Sequence, residues 1–153
     1  MMTGFDPSGD IRVPIALIHD VAVATAQAHL EEPAIAAFRE DILAMLARHG
    51  LRAVVIDLSN VSYLDRSEFD ALRATIRTIE LMGARAVVVG IRPAVAASLV
   101  ALEADLRGVV TALTVDRAFE TLAPAETAID ADAADGEAHA PERDAATPRE
   151  VDP

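Results

Sequence analysis

The chain has 153 residues, 52% of them apolar and only 3% aromatic, with no Cys or Trp and a formal net charge of −12. That length suits one domain, whose core must be aliphatic. The missing cysteine excludes disulfides, thiol nucleophiles and thiolate metal sites, and the acidic balance opposes bulk nucleic-acid binding, which needs a basic face.

Residues 1–10 are polar with Gly, Pro and Ser and read as a flexible lead. Two short apolar runs follow, 12–18 (RVPIALI) and 21–27 (VAVATAQ), separated by so few residues that an antiparallel hairpin is predicted. Pro14 lacks an N–H and assigns the first run to a sheet edge. Over 33–49 the residues Ile35, Phe38, Ile42 and Met45/Leu46 recur at helical spacing, and Gly50 ends the pattern. Residues 52–58 (RAVVIDL) form a continuous apolar run of strand length, as expected of a strand buried on both faces.

A second helix is predicted over 65–82, with Phe69, Leu72, Ile76 and Ile79 inward and Gly83 as its stop. Residues 85–91 (RAVVVGI) are the next buried strand, Pro93 opens a helix to about Leu102, 109–113 is a short strand, and 115–122 is a last helix with Val115, Phe119 and Leu122 inward. From 124 to 153 the composition changes to nine acids against two Arg, with little large apolar content. Such a segment cannot bury enough surface to offset its ordering entropy, and it reads as a disordered acidic tail. The domain proper is therefore 11–123. Its order, β-β-α-β-α-β-α-β-α, specifies an α/β fold: a mixed sheet with mainly parallel strands, flanked by about four helices.

In such sheets binding residues collect at the carboxyl ends of strands. That directs attention to the segment after the central strand, DLSNVSYLDRSEF, residues 57–69. Asp65 is a good N-cap, and Glu68 three residues later completes a capping-box pattern. Ser67 then falls in the first helical turn, where backbone N–H groups and the helix dipole favour an anion. Arg66 opposes the dipole preference and reads as a surface residue with Asp70 in reach at i+4. Ser59 and Ser62 read as loop hydroxyls, and Tyr63 suits either the core edge or a contact surface. The four His have no ligand spacing, no phosphate-loop glycine motif is present, and no metal or cofactor is expected.

Three segments carry a family resemblance: VVIDLSNVSYLD (54–65), ELMGARAVVVGIRPAVAASLVAL (80–102) and GVVTALTVDRAFETL (108–122). Together they resemble a STAS domain, the sulfate-transporter and anti-sigma-factor-antagonist fold, and within it the RsbS-type stressosome subgroup. The likeness runs from about Val13 to Leu122. It implies a protein that is not an enzyme and takes no cofactor. Its expected role is anti-sigma factor antagonist or stressosome scaffold in bacterial stress and sigma-factor signalling, in the cytoplasm. The implied partners are a switch-type serine/threonine kinase or anti-sigma factor, and sister STAS proteins or further copies of the chain, with neither nucleic acid nor membrane. The partner-binding loop would comprise Asp57, Ser59, Ser62, Asp65, Arg66 and Ser67. In the family the phosphoacceptor usually follows the terminal Asp directly. Here that position is Arg66, which cannot take phosphate, so Ser67 is the candidate. The resemblance leaves three versions: a switch shifted by one residue to Ser67, a constitutive scaffold, and a different partner altogether. The rival from another class is a small α/β nucleotide-binding module or enzyme using the strand-end site near Asp57.

Overall fold

The computed structural model describes residues 13–27 and 32–124. The expected lead, 1–10, and all but the first residue of the expected tail, 124–153, lie outside the described residues. The chain divides into two units, Met1–Ala123 and Pro124–Pro153, and the elements below belong to the first. They are β1 (Ile15–Ile18), β2 (Val21–Thr25), α1 (Glu32–His49), β3 (Ala53–Asp57), α2 (Arg66–Leu81), β4 (Arg85–Val89), α3 (Pro93–Ala101), β5 (Val110–Ala112) and α4 (Val115–Leu122). The type and order of every expected element are present, with ends that shift by up to three residues. One five-stranded sheet runs β1-β2-β3-β4-β5. Only the β1–β2 pair is antiparallel; β2 through β5 are parallel.

The hairpin turn is made by His19 at φ 55°, and β1 is the sheet edge that Pro14 requires. The Pro14 carbonyl still accepts from the Thr25 N–H at 3.1 Å, so the ladder continues one residue past the strand using the group proline retains.

The unbroken apolar runs of β2, β3 and β4 are explained by burial on both faces. Ala22, Ala24, Val54, Ile56, Ala86 and Val88 face a core closed by α1, α2 and α3, with Ile35, Phe38 and Ile42 from α1, Phe69, Leu72, Ile76 and Ile79 from α2, and Val95 and Leu99 from α3. The alternate residues, Val21, Val23, Ala53, Val55, Val87 and Val89, meet Ala118 and Leu122 of α4, with Val115 and Phe119 partly buried beside them. Each such Val, Leu, Ile or Phe contributes about 1.5–3 kcal/mol on burial and each Ala less, so the two layers hold the sheet from either side. Two strand-start arginines tie α4 down. Arg52 Nη1 donates to the Leu122 carbonyl at 2.6 Å and Arg85 Nη1 to that of Thr121 at 3.3 Å, placing positive charge on a C-terminus that has no basic residue of its own. Arg52 also pairs with Asp20 at 2.7 Å and holds that carboxyl below the usual aspartate range.

Helices α2 and α3 end in the same way with different residues. After α2, the Gly83 and Ala84 N–H groups return to the carbonyls of Glu80 and Ile79, with Gly83 at φ 86°. After α3, Glu103 and Ala104 return to Val100 and Leu99, but the left-handed position is held by Glu103 at φ 49°. A side chain with a Cβ is strained there. Glu103→Gly is therefore expected to raise stability by about 0.5–1 kcal/mol, the relieved strain less the extra freedom of glycine in the unfolded chain. Urea denaturation reads this directly, and a lower midpoint in the variant would contradict it.

The connection from α3 to β5 is stitched back to α2 by Arg73, whose Nη2 donates to Asp105 at 2.9 Å, while Arg107 Nε donates to the other Asp105 oxygen at 2.9 Å. Its hydrogen bonds with Arg107, and the charge of Arg73 behind them, hold the Asp105 carboxyl well below the usual range. The sign follows: the folded state binds this proton less readily than the unfolded chain, so the contribution is complete above a pH of about 4 and fades as pH falls towards the depressed value. Carbon-13 titration of the aspartate carboxyls is expected to find Asp105 still ionised where the exposed ones are half protonated. A midpoint at the ordinary value would show that the ion pairs do not persist in solution.

Candidate functional site

Strand β3 delivers Asp57 to the carboxyl edge of the sheet, and the chain then crosses to α2 without regular structure. That crossing is tightly held. Leu58, Val61 and Leu64, spaced by three, are buried at 1%, 0% and 0% exposure and belong to the α1–α2 core. The residues between them, Ser59, Asn60, Ser62 and Tyr63, are exposed. Burial of every third side chain presents the intervening polar groups outward, so the loop is a fixed surface.

Asp57 is half-buried, and its Oδ1 accepts from the Ser59 N–H at 2.9 Å, closing a turn two residues long. Gly90, leaving β4 at φ 70°, packs against this turn: a Cβ there would lie 2.6 Å from Asp57 Oδ1 and 2.8 Å from the Ser59 nitrogen. The Leu58 N–H bonds to the Val89 carbonyl and the Ala26 N–H to the Asp57 carbonyl, at 2.9 and 2.8 Å, so the loop's origin is fixed to both neighbouring strands.

The start of α2 has the capping box that the sequence predicts. Asp65 Oδ1 accepts from the Glu68 N–H and Glu68 Oε2 accepts from the Asp65 N–H, each at 2.8 Å. Both acids are thereby engaged with backbone donors. Arg66 differs from its expected pairing. Among the described residues it makes no ion pair with Asp70; its Nη2 donates instead to the Leu102 carbonyl at 2.8 Å. Leu102 is the C-cap of α3, where carbonyl groups lack helical partners, so a guanidinium there satisfies an acceptor and complements the dipole. The charge that is unfavourable at the N-terminus of α2 is thus placed on the C-terminus of α3.

Ser67 is exposed in the first turn of α2. Tyr63 is 58% exposed and stands on the surface side of the choice left open by its sequence. Asp57, Ser59, Ser62, Asp65, Arg66 and Ser67 therefore share one loop and helix start, all exposed but Asp57. Gly90 and the Leu102 carbonyl complete this edge and were not among the candidates. An isolated glycine within an apolar strand pattern suggests a bulge or a close approach without naming what approaches; a backbone carbonyl that receives Arg66 leaves no signal at all. Among the described residues no group of His, Asp and Glu is placed to hold a metal ion, and no helix is long and apolar enough to cross a membrane.

Residues 13–118 match the STAS domain. The chain belongs to the STAS domain family. RsbS from Moorella thermoacetica, solved as a glutamate-for-serine variant, is similar at 32% identity and a TM-score of 0.63, over 72% of this chain and 93% of that one. A chain in the molecular architecture of the stressosome, described as a signal integration and transduction hub, matches at 31% identity and a TM-score of 0.62, over 71% of this chain and 95% of that one. The RsbT co-antagonist protein RsbRA of Bacillus subtilis is 29% identical over 82 residues, 54% of this chain but 30% of that protein. The STAS chain thus spans under a third of this curated relative, and covers nearly all of the RsbS structure.

Proposed function

We propose that this STAS protein is an anti-sigma factor antagonist or stressosome-type scaffold, acting in the cytoplasm by binding other proteins in bacterial stress signalling. The observation that carries this reading is the pinned loop at the carboxyl edge of the sheet, presenting Ser59, Ser62, Asp65, Arg66 and Ser67 in a chain 32% identical to RsbS. Its carboxylates support a binding surface over a catalytic one, since Asp57, Asp65 and Glu68 each accept from a backbone N–H. The partners are a switch-type serine/threonine kinase or an anti-sigma factor, and sister STAS chains. Within this reading Ser67 is the candidate phosphoacceptor. Arg66 fills the position directly after Asp65, and its engagement with Leu102 leaves the exposed Ser67 hydroxyl as the nearest group able to take phosphate.

Incubation with ATP and a switch-type kinase, followed by mass-spectrometric mapping, is expected to place phosphate on Ser67 and none in Ser67→Ala. Light scattering of the chain with the kinase and with sister STAS proteins reads the binding itself. Stable complexes without phosphate, using a kinase active on another substrate, would favour the constitutive scaffold. A monomer that binds none of these partners would overturn the proposal.

A further inference from the structure

The sheet ends at β5 with an edge that no strand among the described residues covers. Exposed edges are usually blunted by charge, proline or a bulge, because their free backbone groups pair with other strands. Residues 109–114, VVTALT, carry neither charge nor proline, and only the shortness of β5 restrains pairing. Val110 is 39% exposed, and Leu113, just past the strand, 81%.

The ladder decides which backbone groups are free. The Arg85 N–H donates to the Arg52 carbonyl, and the Val89 carbonyl accepts from the Leu58 N–H, so Arg85, Val87 and Val89 direct their backbone groups to β3. Directions alternate along a strand, which turns Val88 towards β5. Val88 is in register with Thr111, and a parallel ladder then joins it to the Val110 carbonyl and the Ala112 N–H. Thr111 therefore directs both its N–H and its carbonyl away from the sheet, with the Val109 carbonyl and the Leu113 N–H on the same side.

We infer that β5 pairs antiparallel with β5 of a second copy of this chain, about a two-fold axis at Thr111, joining the two sheets into one. In that register the Thr111 N–H and carbonyl of the copies bond reciprocally, and each Leu113 N–H reaches the other copy's Val109 carbonyl. Side chains agree with it. Val109 packs against the core of α1, α2 and α3, and Ala112 against the α4 side, so by alternation Leu113 shares the Val109 face. Opposed residues of an antiparallel pair lie on one face, so exposed Leu113 covers the partner's Val109 and Val110 meets the partner's Ala112. Charge agrees as well. Arg107, before the strand, comes beside the partner's Asp116 at the start of α4, and among the described residues Asp116 is in no ion pair. Moving the axis to Ala112 would set Arg107 against Arg117 and leave the Val109 carbonyl unpaired. Pairing β5 with β1 of another copy would leave a free edge at each end, whereas the two-fold closes. The pairing deepens the sister-chain part of the proposed function and rests on it for the kind of partner, while using neither the loop nor Ser67.

Sedimentation velocity of the full chain over a concentration series, with amide hydrogen exchange at each concentration, is the test. A monomer–dimer equilibrium is expected, with exchange at Thr111 and Leu113 slowing as the dimer fills. Thr111→Pro removes the outward N–H without removing a bond to β4, so circular dichroism should find the fold retained while the dissociation constant rises at least about tenfold. Leu113→Ser, at an exposed side chain, should weaken the dimer severalfold and decides the matter if Thr111→Pro does not fold. Both variants should bind a switch-type kinase as the parent chain does, which separates loss of edge pairing from failure of the proposed loop function. A monomer at every concentration, a dimer that survives both substitutions, or a mass that climbs past the dimer overturns the inference.

Discussion

Gly90→Ala is expected to cost about 2–5 kcal/mol and to disrupt the loop before α2. Two effects add. The backbone at φ 70° is strained for any residue with a Cβ, which costs about 1–2 kcal/mol. The new methyl would also lie 2.6 Å from Asp57 Oδ1, 2.8 Å from the Ser59 nitrogen and 3.0 Å from Ser59 Cβ. The Ser59 nitrogen is backbone, and Asp57 Oδ1, though a side-chain end, is held by the Ser59 N–H at 2.9 Å, so relief requires moving the Asp57–Ser59 turn, and overpacking of this kind costs about 1–3 kcal/mol. Gly83→Ala is the internal control. Gly83 has φ 86° but nothing within 4 Å of an added Cβ, so only the backbone cost, about 1–2 kcal/mol, applies. Urea denaturation of the two variants separates the terms, and the Ser59 amide shift reports the turn. Equal losses, with the Ser59 signal unmoved, would show that the close approach at Gly90 has no energetic weight.

The contrast between these glycines also marks where the sequence is readable and where it is not. Gly50 and Gly83 terminate helices, and their place after an amphipathic pattern makes that role legible. Gly90 follows an apolar strand in the same apparent way, yet its role depends on Asp57, 33 positions earlier and paired with Val89 across the ladder. The same division runs through the fold. The helical stripes of α1 and α2, the two-faced burial of β3 and β4, and the capping box at Asp65 are local patterns, and the chain adopts them. The α4 stripe is legible in part: Leu122 is buried as expected, but Ala118 is the other fully buried residue, and Val115 and Phe119 are only partly covered, because an eight-residue helix cannot shield its whole apolar face. Arg66 was not legible. Its nearest acid in sequence is Asp70, but the acceptor it uses is a carbonyl at the end of another helix, and no residue type signals an open carbonyl. The cluster of Arg73, Asp105 and Arg107 is hidden for the same reason, being assembled only when the α3–β5 connection folds back on α2.

Leu64→Ala is the other substitution with a large expected effect, and it tests whether the proposed partner surface is rigid by burial. Leu64 has 0% exposure within the core shared by α1 and α2, and its truncation is expected to cost about 2–5 kcal/mol through lost transfer energy and the cavity left behind. Its neighbour Tyr63 is 58% exposed, and Tyr63→Ala should change stability by no more than about 0.5 kcal/mol. Leu64 immediately precedes the N-cap, so losing its anchor also loosens the geometry that lets Asp65 and Glu68 exchange hydrogen bonds, interactions worth about 1 kcal/mol in caps of this kind. The expected signature is therefore double: a lower urea midpoint, and amide exchange over 58–68 accelerated beyond what global destabilisation accounts for. Partner affinity should fall with that loosening, because a loop that must be ordered on binding loses that ordering entropy from the interaction. If Leu64→Ala lowers global stability but leaves exchange in the loop unchanged relative to the rest of the chain, the Asp57–Ser59 turn and the capping box hold the surface by themselves. The three-residue spacing of Leu58, Val61 and Leu64 would then serve the core alone.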